Sequence, residues 1–115
     1  MNKLGKEGED IAVEYFRKNG FRIIEKNYRT VFGEIDIIAK DKDIIVFIEV
    51  KTRADKTFGY PFEAVNQKKR EKIRKVALSF MKKYKKEFPA RFDVLSIYTE
   101  NGKEQIEHIK DAFEV

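Results

Sequence analysis

Two apolar segments, residues 33–39 and 44–51, constrain the fold of this chain most strongly. The first reads Gly-Glu-Ile-Asp-Ile-Ile-Ala and the second reads Ile-Ile-Val-Phe-Ile-Glu-Val-Lys, and the turn-forming residues 40–43 lie between them. Short runs rich in isoleucine and valine with turn residues between them are typical of paired β-strands. The second segment is so apolar before its charged end that we expect it at the centre of a sheet.

The charged side chains of these two segments fall into a pattern of their own. Side chains alternate between the faces of a strand, so Glu34 and Asp36 share a face, and so do Glu49 and Lys51. If the intervening turn closes a hairpin, three carboxylates and one ammonium converge at the open end of an apolar strand pair. Burying unpaired charge costs far more than a surface ion pair returns. The pattern therefore predicts a metal ion at this end of the hairpin.

Length and composition exclude several classes of protein. A chain of 115 residues predicts a single domain over residues 1–115, and the lack of cysteine excludes disulfide bonds and thiolate zinc sites. The chain has no signal-like N-terminus and no apolar run of about 20 residues, so we expect a cytoplasmic protein without a membrane partner. The net charge of +5 favours a polyanionic partner, although many proteins of this basicity bind none.

Hydrophobic periodicity predicts the order α-β-β-β-α-β, an α/β fold with a mixed sheet of about four to five strands flanked by helices. Apolar residues at helical spacing predict the first and the fifth element, and alternating or continuous apolar residues predict the strands. The expected elements are a helix over Gly5–Lys18, strands over Phe21–Tyr28, Glu34–Lys40 and Ile44–Thr52, a long helix over Phe62–Lys86, and a strand over Arg91–Thr99.

One connection and the tail are less regular. Arg53–Phe62 has the composition of a surface loop with aromatic contacts. Gln105–Ile109 is expected to pair as an edge strand, and Lys110–Phe113 is expected to form a turn of helix. His108 is the only histidine, has no partner motif, and is expected at the surface.

The spacing of the charged residues resembles a known nuclease signature. Asp36 is followed, after twelve intervening residues, by Glu49-Val50-Lys51, which resembles the PD-(D/E)xK motif of restriction-endonuclease-like nucleases. Ile35 stands where that motif has proline, and junction-resolving members of the fold also lack the proline. The resemblance implies that Asp36 and Glu49 bind Mg²⁺ or Mn²⁺, that the Val50 carbonyl is a further ligand, and that Lys51 is the catalytic lysine. These oxygen donors suit Mg²⁺.

Three further residues are candidates for the same site. Glu9 flanks the apolar stripe of the first helix, and junction-resolving members of the fold place a glutamate from this helix in the metal site. Acidic residues in a first helical turn are also favoured by the helix dipole alone. Lys69 is the one charge on an otherwise apolar face of the long helix, so it either reaches the site or extends from the helix edge to solvent. Glu34 could hold Asp36 in place or act as an alternative ligand.

Basic and aromatic residues near the strand ends and on the long helix are candidates for contacts with nucleic acid. A lysine-rich helix face is also common where it is simply solvated, and aromatic loop residues often only pack locally. The candidates are Arg29, Arg53, Tyr60, Lys68, Lys69 and Lys72.

The whole chain resembles the YraN-like family of small bacterial endonuclease-fold proteins. The resemblance runs through Gly5–Glu9, Asn27–Arg29, Gly33–Asp36, Phe47–Arg53, Phe58–Gly59, Lys69, Arg91–Val94 and Ile109–Phe113. The resemblance implies a nuclease that binds nucleic acid and names no substrate. The clustered Asp36, Glu49 and Lys51 lead us to expect a metal-dependent nuclease that acts on structured or branched DNA, with a homodimer as a possible assembly by analogy with junction resolvases. The alternatives are a non-catalytic nucleic-acid-binding module, or an adapter in DNA processing, with a vestigial metal site.

Overall fold

The computed structural model describes residues 3–53, 67–84 and 89–113. Within these residues, two helices and five strands follow one another in the order α-β-β-β-α-β-β, which confirms the predicted order and the edge strand expected over Gln105–Ile109. Their bounds are α1 Lys3–Lys18, β1 Arg22–Thr30, β2 Gly33–Asp41, β3 Ile44–Arg53, α2 Gln67–Lys83, β4 Ala90–Glu100 and β5 Lys103–Phe113. The predicted loop over residues 54–62 and the first residues of the predicted long helix lie outside the described residues.

The five strands form one mixed sheet in the order β1-β2-β3-β4-β5. β1 to β3 pair antiparallel as two successive hairpins, β3 and β4 pair parallel, and β5 returns antiparallel beside β4. A parallel pair needs a long crossover, and the crossover here contains α2. The apolar strand β3 lies at the centre of the sheet, as its sequence predicts.

One helix covers each face of the sheet, and each helix has its own apolar cluster. Ala12, Val13 and Phe16 of α1 pack on alternate residues of β2, β3 and β4. Ile73 and Phe80 of α2 pack on the opposite face. Alternation along the strands therefore supplies both faces of the core, which is the three-layer arrangement expected for a sheet with apolar side chains on both faces.

The first helix ends in a Schellman motif. Gly20 has a φ of +84°, the N–H of Gly20 donates to the Arg17 carbonyl at 3.1 Å, and the N–H of Phe21 donates to the Phe16 carbonyl at 2.9 Å. The Phe16 and Phe21 rings lie 5.0 Å apart, the hydrophobic contact that accompanies this motif. The predicted end of the helix at Lys18 is confirmed, and the chain continues from Gly20 into β1.

The predicted helical turn over Lys110–Phe113 is wrong, since β5 continues to Phe113. Asp111 has a φ of +53°, and its N–H donates to Asp93 Oδ1 at 3.0 Å, which keeps the bulged strand paired. Phe113 then stacks on Phe92 with ring centroids 4.8 Å apart. A long-range contact with β4 thus overrides the local tendency to turn.

Both described helices are too short or too polar to cross a bilayer.

Candidate metal centre

The carboxylate of Asp36 lies where β2 and β3 stop pairing regularly. The register between these strands runs from Asp41↔Ile44 to Ile37↔Ile48. One residue farther along β2, Asp36 Oδ2 accepts a hydrogen bond from the N–H of Val50 at 2.8 Å. The side chain therefore ties the end of β2 to the backbone of β3.

Strict alternation along β2 breaks at the same point. Ile35 and Ile38 both belong to the cluster beneath α2, whereas Ile37 belongs to the cluster beneath α1. Opposite this break, Asn27 of β1 has a φ of +53°, a conformation that non-glycine residues seldom adopt. The irregularity places Asp36 at the open end of the sheet, within reach of groups from both faces.

Three carboxylates meet at this end, and we call them the carboxylate cluster: Glu9, Glu34 and Asp36. One oxygen from each lies within 4.8 Å of the others, and all three residues are partly buried. Glu9 comes from α1, where the amide of Asn27 donates to its Oε2 at 3.3 Å. The cluster contains Asp36 and Glu9 of the predicted ligands, and it contains Glu34.

Burial and the neighbouring carboxylates raise the pKa of Asp36 to about 7. Burial is the largest cause, followed by the nearby charge of Glu49, with smaller contributions from Glu34 and Glu9. The hydrogen bond from Val50 acts in the opposite direction but does not outweigh them. The site thus concentrates negative charge that an added cation or a proton would reduce.

Glu49, the other predicted carboxylate ligand, is held by two lysines. Its side chain is only 10% exposed, and its Oε1 lies 3.2 Å from Lys51 Nζ and 2.6 Å from Lys69 Nζ. Lys51 stands two residues along β3, while Lys69 comes from α2, so the side chain of Lys69 reaches into the site. We call Lys51 and Lys69 the lysine pair.

The pKa values of the two lysines in this pair are shifted in opposite directions. Burial and the neighbouring Lys69 lower the pKa of Lys51, against the attraction of Glu49. Burial acts to lower the pKa of Lys69, but the interactions with Glu49, Lys51 and Asp36 together outweigh burial and raise the pKa. The geometry assigns the shorter contact with Glu49 to Lys69 and leaves Lys51 the more acidic ammonium.

The donor set of this end of the sheet fits a hard divalent cation. Glu9, Glu34 and Asp36 offer carboxylate oxygens close enough to share one ion, and oxygen donors are what Mg²⁺ and Mn²⁺ prefer. Glu49 is not among these three, although it is near enough to raise the pKa of Asp36. Glu34, which the sequence names as an alternative ligand, stands in the cluster, whereas Glu49, which the resemblance names as a ligand, faces the lysine pair.

The predicted nucleic-acid contacts are distributed unevenly around this centre. Arg29 lies beside it, donating to Glu34 Oε2 through Nη2 at 2.7 Å, and its side chain is 75% exposed. Lys68 and Lys72 are exposed on α2, and Arg53 is the last residue of β3. Tyr60 lies outside the described residues.

A second charged network, which sequence reasoning missed, lies around Asp93 on β4. Its side chain is fully buried, and it accepts hydrogen bonds from Arg91 Nε at 3.0 Å, His108 Nε2 at 2.7 Å and the N–H of Asp111 at 3.0 Å. The expectation that His108 is a surface residue is wrong, because its side chain is largely buried and Tyr15 Oη lies 3.2 Å from its Nδ1. We call this set the Asp93 network.

Burial acts to raise the pKa of Asp93, but the hydrogen bonds from His108 and Arg91 outweigh it and lower the pKa. Arg91 also contacts Asp41 at 3.2 Å, so the network joins β2, β4 and β5. A carboxylate can only accept hydrogen bonds, so His108 donates through Nε2. Because the Asp93 carboxylate is fully paired within the Asp93 network, we infer that this network has a structural role.

A glycine sets how closely α1 approaches the site. Gly8 is buried, and a Cβ placed on it would collide with the Cγ2 methyl of Thr52 on β3. Glu9 follows Gly8 directly, and Thr52 follows Lys51. The lack of a side chain at position 8 therefore lets the helix carry Glu9 close to the strand that carries Lys51.

The chain is similar to several bacterial proteins along nearly its full length. A UPF0102 protein of Thermodesulfovibrio yellowstonii is 53% identical over 111 residues, which cover 96% of each chain. Another from Persephonella marina is 48% identical over 112 residues, covering 96% of this chain and 93% of the relative. A third, from Syntrophomonas wolfei, is 45% identical over 115 residues, covering 98% of this chain and the whole relative.

The matching family is described as Uncharacterised protein family UPF0102, and the match spans residues 8–97. That span contains all three residues of the carboxylate cluster, Glu49 and the lysine pair, and it stops before His108. The YraN-like resemblance seen in the sequence is thereby confirmed, and this chain belongs to the UPF0102 family.

Proposed function

We propose that this protein is a cytoplasmic endonuclease that uses Mg²⁺ or Mn²⁺ to hydrolyse phosphodiester bonds in structured or branched DNA. The observation that carries the proposal is the meeting of the carboxylate cluster with Glu49 and the lysine pair at one open end of the sheet. Buried like charges of this kind are costly for a purely structural design and are common where chemistry is done.

Glu9, Glu34 and Asp36 are the residues that would hold the cation, with the Val50 carbonyl and Glu49 as further candidates. A divalent cation bound there would neutralise charge on a phosphate and lower the pKa of a water molecule. The Val50 N–H holds Asp36 Oδ2 at 2.8 Å, so the orientation of this carboxylate is fixed before any ion arrives. Preorganised ligands of this kind reduce the cost of binding.

The lysine pair supplies the rest of the chemistry in this proposal. Lys51, whose pKa is lowered by burial and by Lys69, is the better candidate to exchange a proton with the attacking water. Lys69, whose pKa is raised, stays charged and is suited to attract a phosphate oxygen. Glu49 keeps the two ammonium groups together while the substrate is absent.

Cleavage of a panel of labelled DNA substrates tests this proposal. Duplex, single-stranded, flap and four-way junction DNA are incubated with the wild type and with Lys51→Ala, with and without Mg²⁺ or Mn²⁺. We expect cleavage that needs the cation and falls at least about 100-fold in Lys51→Ala. Lys18→Ala is a matched control, because Lys18 is exposed at the far end of α1, where it pairs with Glu14.

Asp36→Ala should also lose cleavage while keeping the fold, as judged by circular dichroism. Wild-type cleavage by the folded Asp36→Ala protein would overturn the proposal. If a four-way junction is the preferred substrate, symmetric cutting of two strands would favour a two-fold dimer, which sedimentation in the presence of the junction would detect.

A second candidate is a nucleic-acid-binding module or adapter without turnover. The contact of Glu49 with both lysines favours it, because a carboxylate with two ammonium partners can be a stable ion-pair network. A binding module would bind DNA with a steep dependence on salt and would not nick it with any divalent cation. An adapter would show neither property alone.

A further inference from the structure

Two apolar side chains stand at the turn between β1 and β2, and we call Val31 and Phe32 the hairpin tip. Val31 is 95% exposed and Phe32 is 44% exposed. The turn is closed by the pair Thr30↔Gly33, and the N–H of Phe32 donates to Thr30 Oγ1 at 3.1 Å. Turns of this kind favour small polar residues, so the turn geometry gives no reason for valine and phenylalanine.

Positive charge surrounds the hairpin tip. Lys75 Nζ lies 5.6 Å from the centre of the Phe32 ring, on the α2 side of the sheet. Gly33 lies against the same helix, since a Cβ placed on it would be 3.9 Å from the Cβ of Lys72 and from a methyl group of Val76. The tip therefore rests beside the basic face of α2.

The same helix connects the hairpin tip with the candidate metal centre. Lys69 contacts Glu49, Lys72 lies near Gly33, and Lys75 lies over Phe32. These three lysines are three residues apart, so they follow one another along α2 at a rise of about 4.5 Å each. They form a line of cations that begins at the carboxylates and ends at the aromatic ring.

The distance from the hairpin tip to the carboxylate cluster can be given in residues along β2. At about 3.3 Å per residue, Phe32 lies about 7 Å along the strand from Glu34 and about 13 Å from Asp36. A nucleic-acid strand advances about 3.4 Å per nucleotide in a stacked helix. A phosphate at the carboxylate cluster and a base at Phe32 would be about four nucleotides apart or fewer.

We propose that the hairpin tip binds unpaired bases of the DNA substrate, with Phe32 stacking on a base and Val31 wedging beside it. The inference rests on the proposed nuclease function and names its substrate class: DNA that has unpaired or unstacked bases within about four nucleotides of the cleaved phosphate. Aromatic side chains beside a cationic groove bind single strands in this way, and apolar side chains open base steps.

Charge favours this occupant over a second copy of the chain. A two-fold contact through the tip would bring the Lys72 and Lys75 of one copy against those of the other, and like charges in contact are unfavourable. A phosphate backbone beside the unpaired bases would instead neutralise both lysines. Bases and phosphates together match the apolar tip and its cationic border.

Binding of fluorescent DNA separates this inference from the proposed cleavage. The Lys51→Ala protein, which should not cut, is titrated with a flap whose unpaired arm carries 2-aminopurine and with a plain duplex of equal length. Stacking on Phe32 should change the 2-aminopurine fluorescence. Phe32→Ser in this background should abolish that change and weaken binding of the flap at least about fivefold, while duplex binding stays the same.

Leu78→Ser is the matched control, because Leu78 is a 53% exposed apolar residue on α2. It should leave both titrations unchanged, and Phe32→Trp should restore the fluorescence change. Equal weakening of flap and duplex, or no weakening by Phe32→Ser, would overturn the inference even if wild-type cleavage is normal. A change of oligomeric state in the Val31→Ser/Phe32→Ser protein would also overturn it, since the tip would then be a contact between copies.

Discussion

Two aspartates in neighbouring parts of the same sheet show opposite electrostatics. Asp93 is surrounded by Arg91, His108 and a backbone N–H, and its pKa is lowered. Asp36 has one backbone N–H and three carboxylates for neighbours, and its pKa is raised to about 7. Both side chains are largely shielded from solvent, so the charges around them affect their pKa values strongly.

The difference teaches how this fold separates stability from chemistry. Around Asp93 each negative charge has a donor or a cation, so the network can only hold β2, β4 and β5 together. Around Asp36 the negative charge exceeds the nearby donors, and the cations that are near contact other carboxylates: Lys51 and Lys69 contact Glu49, and Arg29 contacts Glu34. A region that keeps such an imbalance is a candidate site for an added cation.

Asp93→Asn should have the largest effect on stability, because it removes the charge at the centre of the Asp93 network. The change leaves Arg91 and His108 facing an amide in place of a charge, and breaking a buried pair costs about 3 kcal/mol of the free energy of unfolding. Urea denaturation followed by circular dichroism measures this loss. Asp111→Asn is a conservative control, since its backbone N–H, and not its side chain, donates to Asp93.

The pH dependence of that loss has a definite sign. A carboxyl with a lowered pKa in the folded state stabilises the protein above its ordinary pKa near 3.8, and the stabilisation disappears as the pH falls through the lower, folded-state value. The difference between wild type and Asp93→Asn should therefore be full at neutral pH and shrink below about pH 4. A difference that persists undiminished at low pH would contradict the proposed role of the charge.

Addition of Mn²⁺ should stabilise the protein by neutralising charge at the carboxylate cluster and not in the Asp93 network. At about 100 times its dissociation constant, a ligand that binds one site of the folded state adds about 2.7 kcal/mol of stability. Thermal melting should show an upward shift that Glu34→Gln and Asp36→Asn reduce and that Asp41→Asn leaves unchanged. An equal shift in all four proteins would mean that the cation binds elsewhere.

Asp36→Asn should stabilise the protein when no divalent cation is present. The raised pKa means that ionised Asp36 destabilises the folded state, increasingly as the pH rises from about 4 towards 7. Asparagine removes the charge and can still accept the hydrogen bond from Val50 N–H. We expect a gain of about 1–2 kcal/mol at pH 8 in chelator, and little difference from wild type at pH 4.

Arg29→Gln should have the smallest effect on stability. Its pair with Glu34 is highly exposed on the arginine side, where solvent screens the attraction and little stability is gained. The denaturation midpoints of the variant and the wild type should therefore agree within the error of the measurement. Its effect on DNA is expected to be larger, because an exposed arginine beside the cluster is placed to contact phosphate, and a weaker salt dependence of binding in the variant would record this.

The strands that carry the site could be predicted because their pattern is local. The apolar run that ends at Glu49 predicts a central strand, and the turn before it predicts the hairpin; both are confirmed. The helix that carries Glu9 could be bounded from its periodicity and from the Asn19-Gly20 stop. Such features depend on neighbours within a few residues of each other.

The rest depends on contacts between residues that are far apart in sequence. His108 lies 15 residues from Asp93 and 93 from Tyr15, so no local pattern marks it as buried. Alternation alone also misses the break between Ile35 and Ile38, because the break follows the unusual conformation of Asn27 on the neighbouring strand. Alternation already predicts that Glu34 and Asp36 share a face, whereas the contact of Glu49 with Lys69 joins β3 to α2 and follows from no local pattern.

The distance between α1 and β3 depends on the lack of a Cβ atom at Gly8. With hydrogen at that position α1 can lie against Thr52; with a methyl group, either Thr52 must leave its rotamer or the helix must move away. Helices are stiff, so the movement would be passed on to Glu9. The spacing between helix and strand would thus limit the size of an ion that Glu9 and Asp36 could share, and Gly8→Ala would change that spacing without altering any candidate ligand.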